Sequence, residues 1–285
     1  MDPQKIYDQV RAHYSIVSHG TTAAYGSAIA KSFGYSAEEL ANVPEGSNLG
    51  LSCGNPLAIA SVCEGETVID LGSGAGFDAF AAARKAGPSG RVIGVDMNED
   101  MLVKANHIKA KMDTTNIEFV KASITDMSIL ESGIADCVIS NCVINLVPAG
   151  EKHLVFKEIF RLLKPGGRLA VSDILAKKPM PEKLRSNMAL YVGCISGAST
   201  VSEYEGFLND AGFKETLISD SKGDLNVYVQ IGEDGLKKPN CCVSTQAEKA
   251  ESDGCCKPSS DTDVSLEETD FNQWAGSFNI YAVKN

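Results

Sequence analysis

The chain has 285 residues, 44% of them hydrophobic and 22% charged, an ordinary globular composition with enough apolar material for a substantial core. That excludes a disordered chain, a collagen-like repeat and a small disulfide scaffold. The net charge of −11 argues against nucleic acid or an anionic membrane as the main partner, because both reward clustered lysine and arginine.

The opening Met1-Asp-Pro-Gln-Lys-Ile-Tyr-Asp lacks the apolar run of a secretory signal. No later stretch approaches the roughly 18 apolar residues of a membrane helix. The expectation is therefore a cytoplasmic protein whose nine cysteines are mostly free thiols. Residues 1–65 carry helical stretches and a loop, Pro44 to Pro56, rich in Gly, Ser and Asn and containing Cys53. From residue 66 to 180 strand and helix patterns alternate. Glu66-Thr-Val-Ile-Asp70 reads as a strand, Phe77 to Lys85 as an Ala-rich helix, Arg91-Val-Ile-Gly-Val-Asp96 as a second strand and Glu99 to Met112 as a second helix. Strands are expected at Ile117–Val120 and Asp136–Asn141, a helix over Glu151 to Leu163, and a fifth strand at Arg168–Asp173 after the Lys164-Pro-Gly-Gly167 break.

Residues 181–236 read as helices near Lys183–Val192 and Val201–Gly212, with strand-like runs at Glu215–Ser219 and Leu225–Ile231. Residues 237–270 are polar and acidic, with eight acids against two lysines from Glu248 to Asp270, and read as a flexible insertion. Residues 271–285 alternate again, so Trp274 to Lys284 should be a final strand returning to the sheet. Strands alternating with helices imply a doubly wound α/β fold built on a mostly parallel sheet.

The turn Gly72-Ser73-Gly74-Ala75-Gly76 joins a strand to a helix. Glycines there let backbone approach a ligand and present amide donors at a helix N-terminus. Asp70 precedes the turn, and Asp96 ends the next strand, where a carboxylate can accept from both hydroxyls of a ribose. Met97 would then lie against the base, with a core methionine as the other reading. The glycine spacing departs from that of a dinucleotide fingerprint. Asp-Leu-Gly-Ser-Gly-Ala-Gly and the Leu163-Lys-Pro-Gly-Gly167 turn resemble motifs of the class I S-adenosylmethionine-dependent methyltransferases. That resemblance implies a Rossmann-like, seven-stranded sheet, a glycine turn facing the methionine part of S-adenosylmethionine and Asp96 on its ribose. It also puts Ile124 beside the adenine and Asn141 toward the methionine part.

The four histidines (His13, His19, His107, His153) are scattered, with His107 and His153 on presumed outer helices, so none stands out as a general base. The cysteines are more informative. Cys53, Cys142 and Cys194 lie in separate loop-like segments, the second just beyond strand four at the carboxyl end of the sheet. Singly, each is a small buried hydrophobe by default. They lack the paired short spacing of a structural zinc site.

The strings Asn48-Leu-Gly-Leu-Ser-Cys-Gly-Asn-Pro56, Ser140-Asn-Cys-Val-Ile-Asn-Leu-Val-Pro148 and Gly193-Cys-Ile-Ser-Gly-Ala198 resemble those of the arsenite methyltransferases, over about Tyr25 to Asp220. The resemblance implies an added arsenic-binding region in which Cys53, Cys142 and Cys194 hold As(III), delivered as arsenite or as a thiol conjugate. The arsenic lone pair then attacks the sulfonium methyl, giving methylated arsenic and S-adenosylhomocysteine. It further implies an external thiol reductant, thioredoxin or glutathione. Three departures from the family pattern weigh against an internal disulfide relay and multiple methylation: residues 1–52 lack cysteine, Ala79 stands where some relatives have Cys, and Thr125 replaces a common Glu. Cys63 and Cys137 read as structural. The pairs Cys241-Cys242 and Cys255-Cys256 could capture a thiophilic ion for delivery or replace the missing resolving thiol. Two rivals stay open: methyl transfer to an organic acceptor, and a non-enzymatic metalloid-binding thiol protein.

Overall fold

A computed structural model of the chain describes residues 2–185, 187–236 and 269–285. Its centre is a seven-stranded sheet of β1 (Thr67–Leu71), β2 (Arg91–Asp96), β3 (Ile117–Lys121), β4 (Ala135–Asn141), β5 (Leu163–Ala176), β6 (Glu215–Asp220) and β7 (Ala275–Val283). The order is β3-β2-β1-β4-β5-β7-β6. β7 runs antiparallel to both β5 and β6, while the remaining pairs are parallel. The chain reverses its direction of travel across the sheet between β1 and β4. In such sheets the carboxyl ends of the strands at that crevice bind ligands. Val68, Ile69 and Leu71 of β1 and Val138 and Ile139 of β4 are fully buried, as central strands covered on both faces require.

The connecting helices α5 (Phe77–Ala86), α6 (Glu99–Met112) and α7 (Lys152–Leu162) fall where the sequence puts them. Before the sheet come α1 (Pro3–Gly20), α2 (Ala23–Ser32), α3 (Ala37–Ala41) and α4 (Pro56–Ala60). Asp2 starts α1 by accepting from the Gln4 N–H at 3.1 Å, with Pro3 in the first turn. Ile6 and Val10 form its buried side, and it lies against α6. The Asn98 side chain, which caps α6, also donates to Arg11 O and Ser15 Oγ, at 3.0 and 3.2 Å. α1 is thereby fixed as a roof beside the carboxyl end of β2.

After β5 come α8 (Glu182–Arg185), α9 (Met188–Val192), α10 (Val201–Ala211) and α11 (Val227–Gln230). Thr200 and Glu203 start α10 with a reciprocal capping box. Two expectations need correcting. Leu225–Ile231 contains a helical turn, α11, and not a strand: a short apolar run does not carry a period that separates the two. β5 begins at Leu163, five residues early, because Ala135 of β4 already pairs with Leu163 across a register shift. The segment 237–268, with Cys241, Cys242, Cys255 and Cys256, lies outside the described residues.

Candidate functional site

The turn after β1 sets the first half of the site. Gly72 has φ +65, and a Cβ there would sit 2.4 Å from Val143 Cγ2, so this position requires glycine. Asp96 closes β2 and folds back on the turn, accepting from Gly74 N at 2.9 Å and Asn98 N at 2.8 Å. Asp70 and Ser73 are buried, yet Asp70 Oδ2 and Ser73 Oγ have no hydrogen-bond partner. Burial pushes the Asp70 carboxyl well up, with the neighbouring Asp78 and Asp96 charges adding to it. Asp78 is raised to about 6 by burial, against hydrogen bonds from Tyr35 and Asn141. Asp96 is raised by burial despite the N–H groups of Asn98, Gly74 and Met97.

Two cavities meet at this turn. One, of about 760 Å³, is lined by Gly72, Gly74, Asp96, Met97, Ile124, Asn141 and Cys142, with Tyr7, Val10, Arg11 and Tyr14 of α1 along its side. The other, of about 440 Å³, is lined by Asp70, Ser73, Phe77, Asp78 and Asn141. Every residue expected at the nucleoside site except Gly76 lines one or both. Gly76 has φ +92 and caps α5. The first cavity suits a flat base and its ribose beside Asp96. The second offers unpaired carboxylate oxygen to a positive group. S-adenosylmethionine, with an adenosine at one end and a cationic sulfonium and ammonium at the other, fits this donor and acceptor set.

Asn141 joins this half to the thiols. Its Nδ2 donates to Asp78 Oδ2, Tyr35 OH and Gly54 O at 2.9, 3.0 and 3.0 Å, and its Oδ1 accepts from Cys53 N at 3.1 Å. The Cys53 loop is pressed onto the sheet: a Cβ on Gly54 would lie 2.5 Å from Ser172 Cβ. Ser277 Oγ donates to Cys53 O and Tyr228 OH to Ser52 O.

Cys53, Cys142 and Cys194 come from three loops far apart in sequence and share one hydrophobic cluster. Cys53 Sγ and Cys142 Sγ lie within 4.8 Å of each other. Cys194 Sγ donates to Cys142 O at 2.9 Å. Cys142 and Cys194 have φ of +58 and +64, a left-handed conformation that side chains other than Gly, Asn or Asp adopt at a cost. Burial pushes the Cys53 thiol up to about 12 and Cys142 well above its usual range. Cys194 is raised by its hydrogen bond with Cys142 and then by burial. A third cavity, of about 1120 Å³, opens on Cys142 and Cys194 and is walled by His13, Tyr14, Tyr25, Leu190, Tyr228 and Phe271. Cys142, Tyr14 and Leu51 line both this cavity and the nucleoside cavity, so the two compartments meet there.

Several features of the site lay outside the sequence reading. Asp173, on β5, is fully buried under the thiols. It accepts from Asn145 Nδ2 at 2.9 Å, Ile174 N at 2.8 Å and Tyr204 OH at 2.7 Å. Asn145 Oδ1 in turn accepts from buried Lys152 at 3.1 Å. The Tyr14 hydroxyl hydrogen-bonds Cys194, and His13 enters the third cavity. Only the position of Asp173 at the carboxyl end of a predicted strand signalled any of these. Cys137 is buried, whereas Cys63 is exposed, its Sγ donating to Ser61 O at 3.4 Å.

A family model described as "Methyltransferase domain" matches residues 63–212. The chain is 46% identical over 218 residues to an arsenite methyltransferase of Halobacterium salinarum, covering 72% of this chain and 55% of that protein. It is 38% identical over 178 residues to an arsenite methyltransferase of Aquipseudomonas alcaligenes, covering 60% and 50%. The chain thus spans about half the length of the curated relatives it matches. A solved structure of CrArsM, an arsenic(III) S-adenosylmethionine methyltransferase from Chlamydomonas reinhardtii, is 25% identical with a TM-score of 0.57, covering 93% of this chain and 74% of that one. An S-adenosylmethionine-dependent methyltransferase from Aquifex aeolicus, 18% identical with a TM-score of 0.51 over 91% and 98% of the two chains, shares the fold. The family match covers more than half of the sequence and contains the glycine turn, the β2 carboxylate and strands β1 to β5, and so the chain belongs to the methyltransferase-domain family.

Proposed function

We propose that this protein transfers methyl groups from S-adenosylmethionine to trivalent arsenic held by Cys53, Cys142 and Cys194, releasing methylated arsenicals. The observation that carries this reading is that Cys53 Sγ lies within 4.8 Å of Cys142 Sγ, and Cys194 Sγ donates to Cys142 O, at the wall Cys142 shares with the nucleoside cavity. The arsenite methyltransferase relatives support it.

S-adenosylmethionine supplies, when bound, an electrophilic sulfonium methyl, and As(III) supplies a lone pair that no base must uncover. The protein's task is then alignment, which can contribute several kcal/mol, on the order of 7–11 in well-oriented systems. Asp96 and the Gly72–Gly76 turn hold the nucleoside half, and Asp70 with Asp78 faces the positive end. The thiols hold the acceptor. Their raised pKa values do not oppose this. Arsenite carries three hydroxyls, so three neutral thiols exchange for three waters, forming three As–S bonds with no net proton released. The product is an uncharged arsenic trithiolate, which suits a buried apolar site better than three thiolates alone.

Arsenic detoxification, an external thiol reductant of the thioredoxin or glutathione type and arsenite capture by Cys241, Cys242, Cys255 and Cys256 belong to the same proposal. Incubation with arsenite, S-adenosylmethionine and thiol, followed by separation of arsenic species, tests it. Wild type should produce methylated arsenic, and each of Cys53→Ser, Cys142→Ser and Cys194→Ser should lose most of it. Methylation surviving Cys142→Ser rejects the reading.

His13 supports one rival. It lies in the acceptor cavity, burial lowers its pKa, and a neutral imidazole there could serve as base for an organic acceptor. His13→Gln separates the two, since arsenic methylation needs no base and should persist.

A further inference from the structure

The buried thiols have a neighbour that arsenic does not need. Cys53 Sγ, Cys142 Sγ and a carboxylate oxygen of Asp173 all lie within 4.8 Å of one another, and all three residues are buried. Cys194 does not belong to this tighter group. The Asp173 carboxylate accepts three hydrogen bonds, two at Oδ1 from Asn145 and Ile174 and one at Oδ2 from Tyr204. A carboxylate has about four acceptor positions, which leaves one at Oδ2 for a ligand. Lys152, one side chain away through Asn145, favours the ionised carboxylate.

We propose that Cys53, Cys142 and Asp173 form a binding site for a borderline-soft divalent cation of the Zn²⁺ or Cd²⁺ type. Two thiolates and one carboxylate are a zinc-type donor set, with a fourth position left for water. The two metal–sulfur bonds form as two thiol protons leave to solvent, and no electrons are exchanged. The cation offsets the charge of three acidic groups that burial otherwise holds apart from water. Arsenic and the cation differ in their third ligand: Cys194 sulfur for arsenic, Asp173 oxygen for the cation. The ion therefore competes with arsenite for two of its three sulfurs. The site itself does not depend on the arsenic reading, since its donors are defined without Cys194.

The test uses the reduced 285-residue chain in which Cys241, Cys242, Cys255 and Cys256 are replaced by Ser, so that those thiols do not take up the probe. Cd²⁺ is titrated by the ultraviolet absorption of cadmium–thiolate bonds, and As(III) binding is measured separately on the same proteins. One tight Cd²⁺ per chain is expected. Asp173→Asn should weaken it about tenfold or more, whereas Cys194→Ser should leave it unchanged and weaken As(III) instead. Cadmium X-ray absorption covers the case in which Asp173→Asn does not fold: two sulfur neighbours are expected in the parent and in Cys194→Ser alike. Unchanged Cd²⁺ affinity in folded Asp173→Asn, or three sulfurs in the parent falling to two in Cys194→Ser, overturns the proposal. Absence of As(III) binding with Cd²⁺ binding intact rejects the arsenic reading alone.

Discussion

Asn141→Ala removes the side chain that ties the nucleoside turn to the thiol loop. The substitution deletes five hydrogen bonds: four at 2.9 to 3.1 Å, to Asp78, Tyr35, Gly54 and the Cys53 N–H, and one from Cys53 Sγ at 3.7 Å. It orphans the Cys53 N–H and the Gly54 carbonyl and takes a donor from the buried Asp78 carboxylate, which keeps its bond from Tyr35 at 2.5 Å. A buried polar group left unpaired costs about 1–3 kcal/mol. Three such effects, partly relaxed, amount to about 3–5 kcal/mol. For a chain of this size each kcal/mol lowers Tm by roughly 2–4 °C, so thermal unfolding should shift down by about 6–20 °C. Binding of S-adenosylhomocysteine and of As(III) should weaken together, since one side chain serves both. Asn141→Asp keeps an acceptor for Cys53 N–H but sets a carboxylate against Asp78, and it should not rescue either. A Tm lowered by less than about 2 °C, with both affinities retained, would refute the reasoning.

Gly72→Ala combines a left-handed φ, worth about 1–2 kcal/mol, with overlap on Val143, and calorimetry should show S-adenosylhomocysteine binding weakened by about tenfold or more. Tyr14→Phe removes the hydroxyl that contacts Cys194 and should raise the KM for arsenite more than it lowers kcat. The Asp78 carboxyl, raised to about 6, is ionised at neutral pH and protonated below that value. Affinity for the cationic S-adenosylmethionine should therefore fall about tenfold as pH drops from roughly 7 to 5, and Asp78→Asn should flatten that profile in equilibrium binding. Replacing Cys241, Cys242, Cys255 and Cys256 by Ser should leave turnover at saturating arsenite intact and slow it at low arsenite, with complete loss of methylation as the contrary result.

The parts of the fold legible in the sequence are those written in local pattern. Alternating apolar runs mark β1 to β5 and their helices, and the glycine turn with Asp96 marks the ligand end of the sheet. The final strand was legible because Trp274 to Lys284 alternates. Leu225–Ile231 forms a helical turn where its pattern points to a strand, because seven residues of mixed apolar character suit either equally. The site behaved in the same way. Cys53, Cys142 and Cys194 carry recognisable surroundings, but their contacts depend on three loops converging through tertiary structure. The left-handed backbone of Cys142 and Cys194, the buried Asp173–Asn145–Lys152 chain and the placement of His13 and Tyr14 on the cavity that opens on Cys142 and Cys194 leave no local mark. Each depends on tertiary packing, which periodicity alone does not orient.

Counting sulfur atoms around bound As(III) tests the central claim most directly. Arsenic X-ray absorption on the reduced chain, with the four cysteines of 241–256 replaced by Ser, should give three sulfur neighbours and no oxygen. The count should fall to two in each of Cys53→Ser, Cys142→Ser and Cys194→Ser. An oxygen neighbour in the parent protein, or a sulfur count untouched by any of the three substitutions, would contradict a three-thiol cradle.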